Sequence, residues 1–298
     1  MRLNYSGRWR RMRHPENWQA LHESATVVDL HAHALIKAAW FRRDITINNP
    51  LRSPLSRLLD LDPFELDPLS VRTDFPKLRD GGVDVVLATA YAFEVESLPD
   101  FHLRAGPFRR IRWKHIKPLV QVFLPGLYRQ HIAAAPFESA QAMFAVLERE
   151  MERLTDVSAR LARTPEELHS ALAGEETIAV VRALEGGHSL EGPQTRAIRQ
   201  RHADRAINQI PPAEQATIKQ EVLTNLETLA AGGLAYVTLA HFYPNAIATS
   251  AFPYPERIFD VLARERFPWL WRDVTEGLTD IGRDVVRRML ELGVCVDL

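Results

Sequence analysis

His31 and His33 close the apolar run Thr26 to Leu30, and their spacing is that of metal ligands. Residues two apart in a strand project from the same face, so two imidazoles roughly 7 Å apart at Cα can converge on one ion. The strand delivers the ligands and its end exposes them. The alternative is a pair of solvated polar residues, which needs no ion. Glu185 ends another apolar run, inside Ala183-Leu184-Glu185-Gly186-Gly187-His188, and His241 ends Tyr236-Val237-Thr238-Leu239-Ala240-His241. The two glycines let the backbone turn away and leave the carboxylate facing the strand end. A carboxylate can bridge two divalent ions, whereas an imidazole binds one. Two ions a few ångströms apart activate a shared water and polarise a carbonyl, which suffices for amide hydrolysis.

Each residue also has a plainer reading. Glu185 could pair with Arg182 or cap a helix. His188 reads as a loop residue supporting the site rather than a ligand. His241 could be a ligand, a donor that polarises the substrate, or a satisfied core histidine; the donor role ranks first. Asp29 shares the face of His31 and is placed to orient it from deeper in the fold.

These residues meet only if their strand ends form one rim, as they do in parallel α/β barrels. Strand-like runs at Thr26 to His33, Val83 to Phe93, Thr177 to Glu185, Leu234 to His241 and Val294 to Leu298 are rich in Val, Ile, Leu or Ala rather than strictly alternating, as buried parallel strands should be. Helical patterns alternate with them at Asp74 to Arg79, Ser139 to Arg163, Pro165 to Leu172, Glu221 to Ala231 and Asp280 to Leu292. The last is capped by Thr279 and ended by Gly293. This is the order of repeated βα units around a parallel sheet, an α/β architecture whose closed form, the (β/α)8 TIM barrel, has eight strands. Five of its eight strands are legible, and Cys295-Val296-Asp297-Leu298 reads as a strand in mid-course, so the barrel is expected to be incomplete at its C-terminal side.

We read residues 1–298 as a single domain carrying insertions near 94–136, 192–220 and 242–277. The first is Pro-rich and basic, a lid or packing arm. The second is polar and reads as an exposed helical excursion around Pro211-Pro212. The third holds Trp269 and Trp271, expected to pack on the barrel exterior. The 37 Lys and Arg balance 38 Asp and Glu, for a net charge of -1, which gives no global electrostatic case for nucleic acid or an anionic membrane. The arginine clusters at positions 2–13 and 104–112 read as solvated faces. No apolar stretch approaches the ~18 residues of a membrane span, and no secretory h-region follows the N-terminus. A cytoplasmic protein is therefore expected, and a homo-oligomer is compatible with this composition. Cys295, the single cysteine, excludes an internal disulfide and thiolate metal clusters, and its apolar neighbours suggest a buried, inert thiol.

The blocks Val28 to His33, Asp74 to Val83, Leu184 to Leu190, Tyr236 to His241 followed by Asn245, and Gly277 to Val286 leading to Val296 to Leu298 together resemble the membrane dipeptidase (renal dipeptidase, peptidase M19) family. The blocks keep the family's order along the whole chain. The resemblance implies a (β/α)8 barrel with two Zn2+ ions that hydrolyses dipeptides, often tolerating a D-residue at the C-terminal position. Carried over by position, His31 and His33 would bind one ion, Glu185 would bridge both, and His241 would contact the substrate or the tetrahedral intermediate, with Asn245 beside it. His33 departs from the family, which typically has Asp there, and removes one negative charge from the site. The family's two further histidine ligands, its substrate-binding arginine and its proton-transferring aspartate have no counterpart before Leu298. The resemblance thus implies that full activity belongs to a longer protein and that this chain alone is inactive or feeble. Two other readings stay open: a different amidohydrolase-type metal hydrolase, and a non-catalytic barrel remnant that binds or assembles with a partner.

Overall fold

The computed structural model describes residues 18–51, 70–94, 102–105, 109–174, 176–203, 205–249 and 277–298. The strands, in chain order, are β1 (Val28–Ala32), β2 (Val85–Tyr91), β3 (His102–Ala105), β4 (Arg109–Arg112), β5 (Ser158–Leu161), β6 (Thr177–Glu185), β7 (Leu234–Thr238) and β8 (Cys295–Asp297). The helices used below are α1 (Trp18–Ser24), α2 (Ala34–Phe41), α3 (Phe75–Asp80), α4 (Trp113–Phe123), α5 (Pro136–Glu152), α6 (Pro165–Leu172), α7 (Pro193–Arg201), α8 (Pro212–Ala231) and α9 (Asp280–Leu292). Strands β3 and β4 form a separate antiparallel hairpin.

Five strands pair in parallel in the order β1-β2-β6-β7-β8, and β5 lies against the first half of β6. The alternation of side chains along each strand explains what covers the sheet. In β6, Ile178, Val180 and Leu184 join the main core with Leu35, Met143, Leu147, Leu226, Val285 and Met289, which are carried by α2, α5, α8 and α9. On the opposite face Ala179 and Val181 pack with Val85 and Leu87 of β2 against Leu168 and Ala171 of α6. Helix α6 therefore closes the second face near the strand beginnings. Glu185 has the parity of Ala179 and Val181, so it emerges on that second face at the far, C-terminal end.

That face is strongly concave. Tyr236 of β7 hydrogen-bonds to the carbonyl of Leu30 in β1 at 3.1 Å, although β6 and β2 lie between them. Three interstrand spacings on a flat sheet would be about 14 Å, beyond the reach of one tyrosine. Among the described residues, the path β1-β2-β6-β7-β8 thus forms an open half-barrel arc of five strands, an incomplete version of the eight that close a TIM barrel.

Several segments differ from their sequence patterns. The pattern over Ser139 to Arg163 is helical only to Glu152, after which Ser158–Leu161 turns into β5, because the edge of β6 offers it a ladder. Helix α2 follows His33 directly and has no counterpart among the expected helices. Pro211-Pro212 is not the tip of an exposed excursion. Pro212 opens the 20-residue α8, where a missing N–H costs nothing, and Ile198, Ile210 and Ile218 of the same polar stretch are buried. Cys295 is exposed rather than buried, because β8 pairs only with β7 among the described strands. Trp269, Trp271 and the N-terminal arginines lie outside the described residues.

His131 is 2% exposed, with Nδ1 2.8 Å from Ser139 Oγ of α5 and no hydrogen-bond partner for Nε2. Burial lowers its pKa from 6.5 to about 4. Between those values the unfolded chain takes up a proton that the folded chain refuses, so stability falls as pH falls through this window. Going from pH 7 to 4.5 should cost about 2.5 kcal/mol from this residue. Urea denaturation of wild type and His131→Gln at both pH values checks it, and equal acid sensitivity in the two proteins would refute it.

Candidate metal centre

The C-terminal ends of four neighbouring strands place polar side chains at one rim. His31 belongs to β1 and His33 follows it, Glu94 lies three residues beyond β2, Glu185 ends β6, and His241 lies three residues beyond β7. The Nε2 atoms of His31 and His33 are 2.9 Å apart. Glu185 Oε1 is 3.4 Å from His31 Nε2 and Glu185 Oε2 is 3.2 Å from His33 Nε2. Ligand atoms bound tetrahedrally at zinc distances of ~2.0–2.1 Å are separated by about 3.3 Å, so the three donors already have the spacing of one coordination shell. They form the one such group of three or more among the described residues.

The surroundings fit this use. The Tyr236 hydroxyl lies 2.7 Å from His31 Nδ1 and gives its proton to Leu30 O. With that proton given to Leu30 O, His31 Nδ1–H would donate to the tyrosine oxygen and leave Nε2 a lone pair for an ion. Thr89 Oγ1, 3.2 Å from the same oxygen, completes the support. Burial would raise the Glu185 pKa, but hydrogen bonds and charge from His241 and His33 hold it well below the usual carboxylate range, leaving an anionic ligand between imidazoles. His33 differs in one respect, since its Nδ1 is buried without a partner.

His241 bridges two carboxylates, with Nε2 3.2 Å from Glu185 Oε1 and Nδ1 3.0 Å from Glu94 Oε2. Burial opposes its charge, yet the hydrogen bonds to Glu185 and Glu94 raise its pKa to about 9. The ring lies beside Tyr91, with centroids 4.9 Å apart.

Other expected roles change. Glu185 does not pair with Arg182, which instead reaches Glu148 and the carbonyl of Gly232. Asp29 accepts the backbone N–H of His31 and does not touch its ring; the orienting group is Tyr236. His188 is buried, with Nε2 2.8 Å from the carbonyl of Ala92. Asn245, expected beside the substrate, is 2% exposed. Its Oδ1 accepts the N–H groups of Ile247 and Ala248 and its Nδ2 donates to Leu239 O, so it braces the loop after β7 instead of facing the cleft.

Tyr236 was hidden because it reads as one apolar member of a strand. Glu94 carried a signal that could have found it, a polar residue at the end of the second strand. Removing the Tyr236 hydroxyl tests its part in the ligand set. Tyr236→Phe should weaken zinc binding by about tenfold without unfolding the chain, measured by competition with a chromophoric chelator. Unaltered affinity would show that His31 needs no orienting partner.

The fold and this rim define a class: a parallel α/β half-barrel presenting, at its strand ends, a His-His-Glu group with the spacing of metal donors. No family model and no curated protein matches the chain. Among solved structures it is similar to the probable dipeptidase PvdM from Pseudomonas aeruginosa, with 15% identity over 94% of this chain and 48% of that one, at a TM-score of 0.48. It is also similar to dipeptidase AC, a metallopeptidase of MEROPS family M19, with 20% identity over 92% and 56% of the chains and a TM-score of 0.43. A third is a metallopeptidase from Rhodobacter sphaeroides liganded with a phosphinate mimic of the dipeptide L-Ala-D-Ala, at 19% identity over 92% and 58%, TM-score 0.43. The chain spans about half the length of these solved chains. No helix among the described residues is long and apolar enough to cross a membrane.

Proposed function

We propose that this rim is a zinc-binding hydrolytic centre that cleaves the peptide bond of dipeptides. The observation that carries the reading is the convergence of His31 Nε2, His33 Nε2 and Glu185 within 3.4 Å of one another's nearest donor atoms, with the Tyr236 hydroxyl 2.7 Å from His31 Nδ1. Bound zinc would supply Lewis acidity and lower the pKa of a coordinated water. Glu185, held ionised, would keep the ion and face the bond to be cleaved. His241 would offer its Nε2 proton to the carbonyl oxygen as negative charge develops there. A second ion in the arrangement implied by the sequence resemblance would share Glu185.

Purified chain, saturated with zinc and freed of excess, would be assayed for metal content and for hydrolysis of L-Ala-L-Ala and L-Ala-D-Ala. We expect zinc retention that depends on His31 and Glu185, and at most feeble dipeptide hydrolysis by this chain, which stops on chelation. His241→Ala should lower kcat with zinc content intact. Zinc retained without turnover would favour a non-catalytic metal-binding role, and a chain that retains no zinc would overturn the proposal.

A further inference from the structure

We infer that Glu94 is the positioning residue for His241, tying the loop after β7 to the end of β2 so that the imidazole Nε2 stays aimed at Glu185. Glu94 is 3% exposed. Its Oε1 accepts the backbone N–H groups of Phe242 and Tyr243 at 3.2 and 3.1 Å. Its Oε2 accepts the Tyr91 hydroxyl and His241 Nδ1, each at 3.0 Å. An ionised carboxylate offers about four acceptor positions and no donor. These four contacts engage both oxygens, with His188 Nδ1 a further 3.9 Å from Oε1, and they fix polarity: His241 must carry its proton on Nδ1 to bond Glu94.

The placement shows why a carboxylate is needed here. Strands β2 and β7 are not neighbours, because β6 runs between them. Glu94 therefore spans the end of β6, where Glu185 stands, and joins two segments 147 residues apart in sequence. A purely structural tether would be satisfied by the two amides. The second oxygen is instead given to His241 and to Tyr91, whose ring lies against the imidazole. Behind Glu94, His188 is fixed by the carbonyl of Ala92, and its ring meets Tyr91 edge-on at 5.7 Å. Neither partner of His241 can swing away without breaking a buried contact.

The geometric statement stands by itself; its catalytic consequence rests on the proposed hydrolytic reading. The test uses the full 298-residue chain with 15N-labelled histidine, the His241 signal being assigned by its loss in His241→Ala. In wild type without metal, His241 should show a slowly exchanging Nδ1 proton. In Glu94→Gln, which keeps the shape but can turn a donor toward Nδ1, that proton should be lost while zinc affinity is unchanged. If the zinc-loaded chain turns over dipeptides, Glu94→Gln should lower kcat about 10- to 100-fold with KM little altered. A rapidly exchanging Nδ1 proton in wild type, or one that persists in a folded Glu94→Gln, overturns the inference. The wild-type spectrum decides alone if the variant does not fold. Failure of the hydrolytic reading would appear separately, as absent zinc or turnover with the Nδ1 proton still in place.

Discussion

Glu185→Ala is expected to weaken zinc binding by at least on the order of a hundredfold, the largest functional effect of any single substitution at this rim. The carboxylate is the one anionic member of the ligand group, and it faces His31, His33 and His241 at 3.2–3.4 Å. Without it, two imidazoles 2.9 Å apart remain, too few ligands for a stable site. The same change should bring down the pKa of His241, now about 9, because only Glu94 would be left to hold its proton. Zinc per chain after gel filtration, with chelator competition for the affinity, measures the first effect, and NMR titration of His241 measures the second. Zinc stoichiometry that survives both Glu185→Ala and His31→Ala would sink the assignment of these residues as ligands.

Gly186→Ala is expected to destabilise the chain by roughly 3–5 kcal/mol. Two costs combine. Gly186 has φ +82° and ψ 121°, a region that side chains other than glycine's rarely adopt. An added Cβ would also lie 2.3 Å from His188 Cε1. That ring cannot simply move, being buried and held to the carbonyl of Ala92. Relief would have to come from the turn after β6, which carries Glu185, so the variant should lose zinc affinity along with stability. Denaturant unfolding and zinc titration on one preparation would check both. A loss under about 1 kcal/mol would mean that this turn relaxes without strain.

How much of this could be read from residues alone depends on whether the information was local. Thr177–Glu185 has the same limits in pattern and structure, since a run rich in Val, Ala, Ile and Leu stops at a glycine pair. Asp280–Leu292 likewise keeps its limits, because Thr279 accepts the N–H of Gly282 and Gly293 adopts a left-handed conformation. The convergence of His31, His33 and Glu185 followed from strand-end logic applied to two runs. What escaped was created by tertiary contact. Strand β5 exists because β6 leaves an edge open beside it, and its four residues carry too little pattern to announce themselves. Asn245 resembles a substrate-binding residue by position, yet its turn consumes its amide. Tyr236 and Glu94 act across the concave face, through neighbours that sequence order does not place beside them.

The tyrosine that spans this face has a thermodynamic consequence. Because Tyr236 holds Leu30 O and His31 at once, the bend of the sheet and the aim of a metal donor share one hydroxyl. An ion bound at His31 should therefore pull on the whole arc, and the arc should pull back: zinc would raise the melting temperature by mass action, while whatever flattened the strands would expel the ion. Curvature becomes a ligand-linked variable, and Tyr236→Phe, by cutting that link, should shrink the melting-temperature rise that saturating zinc produces.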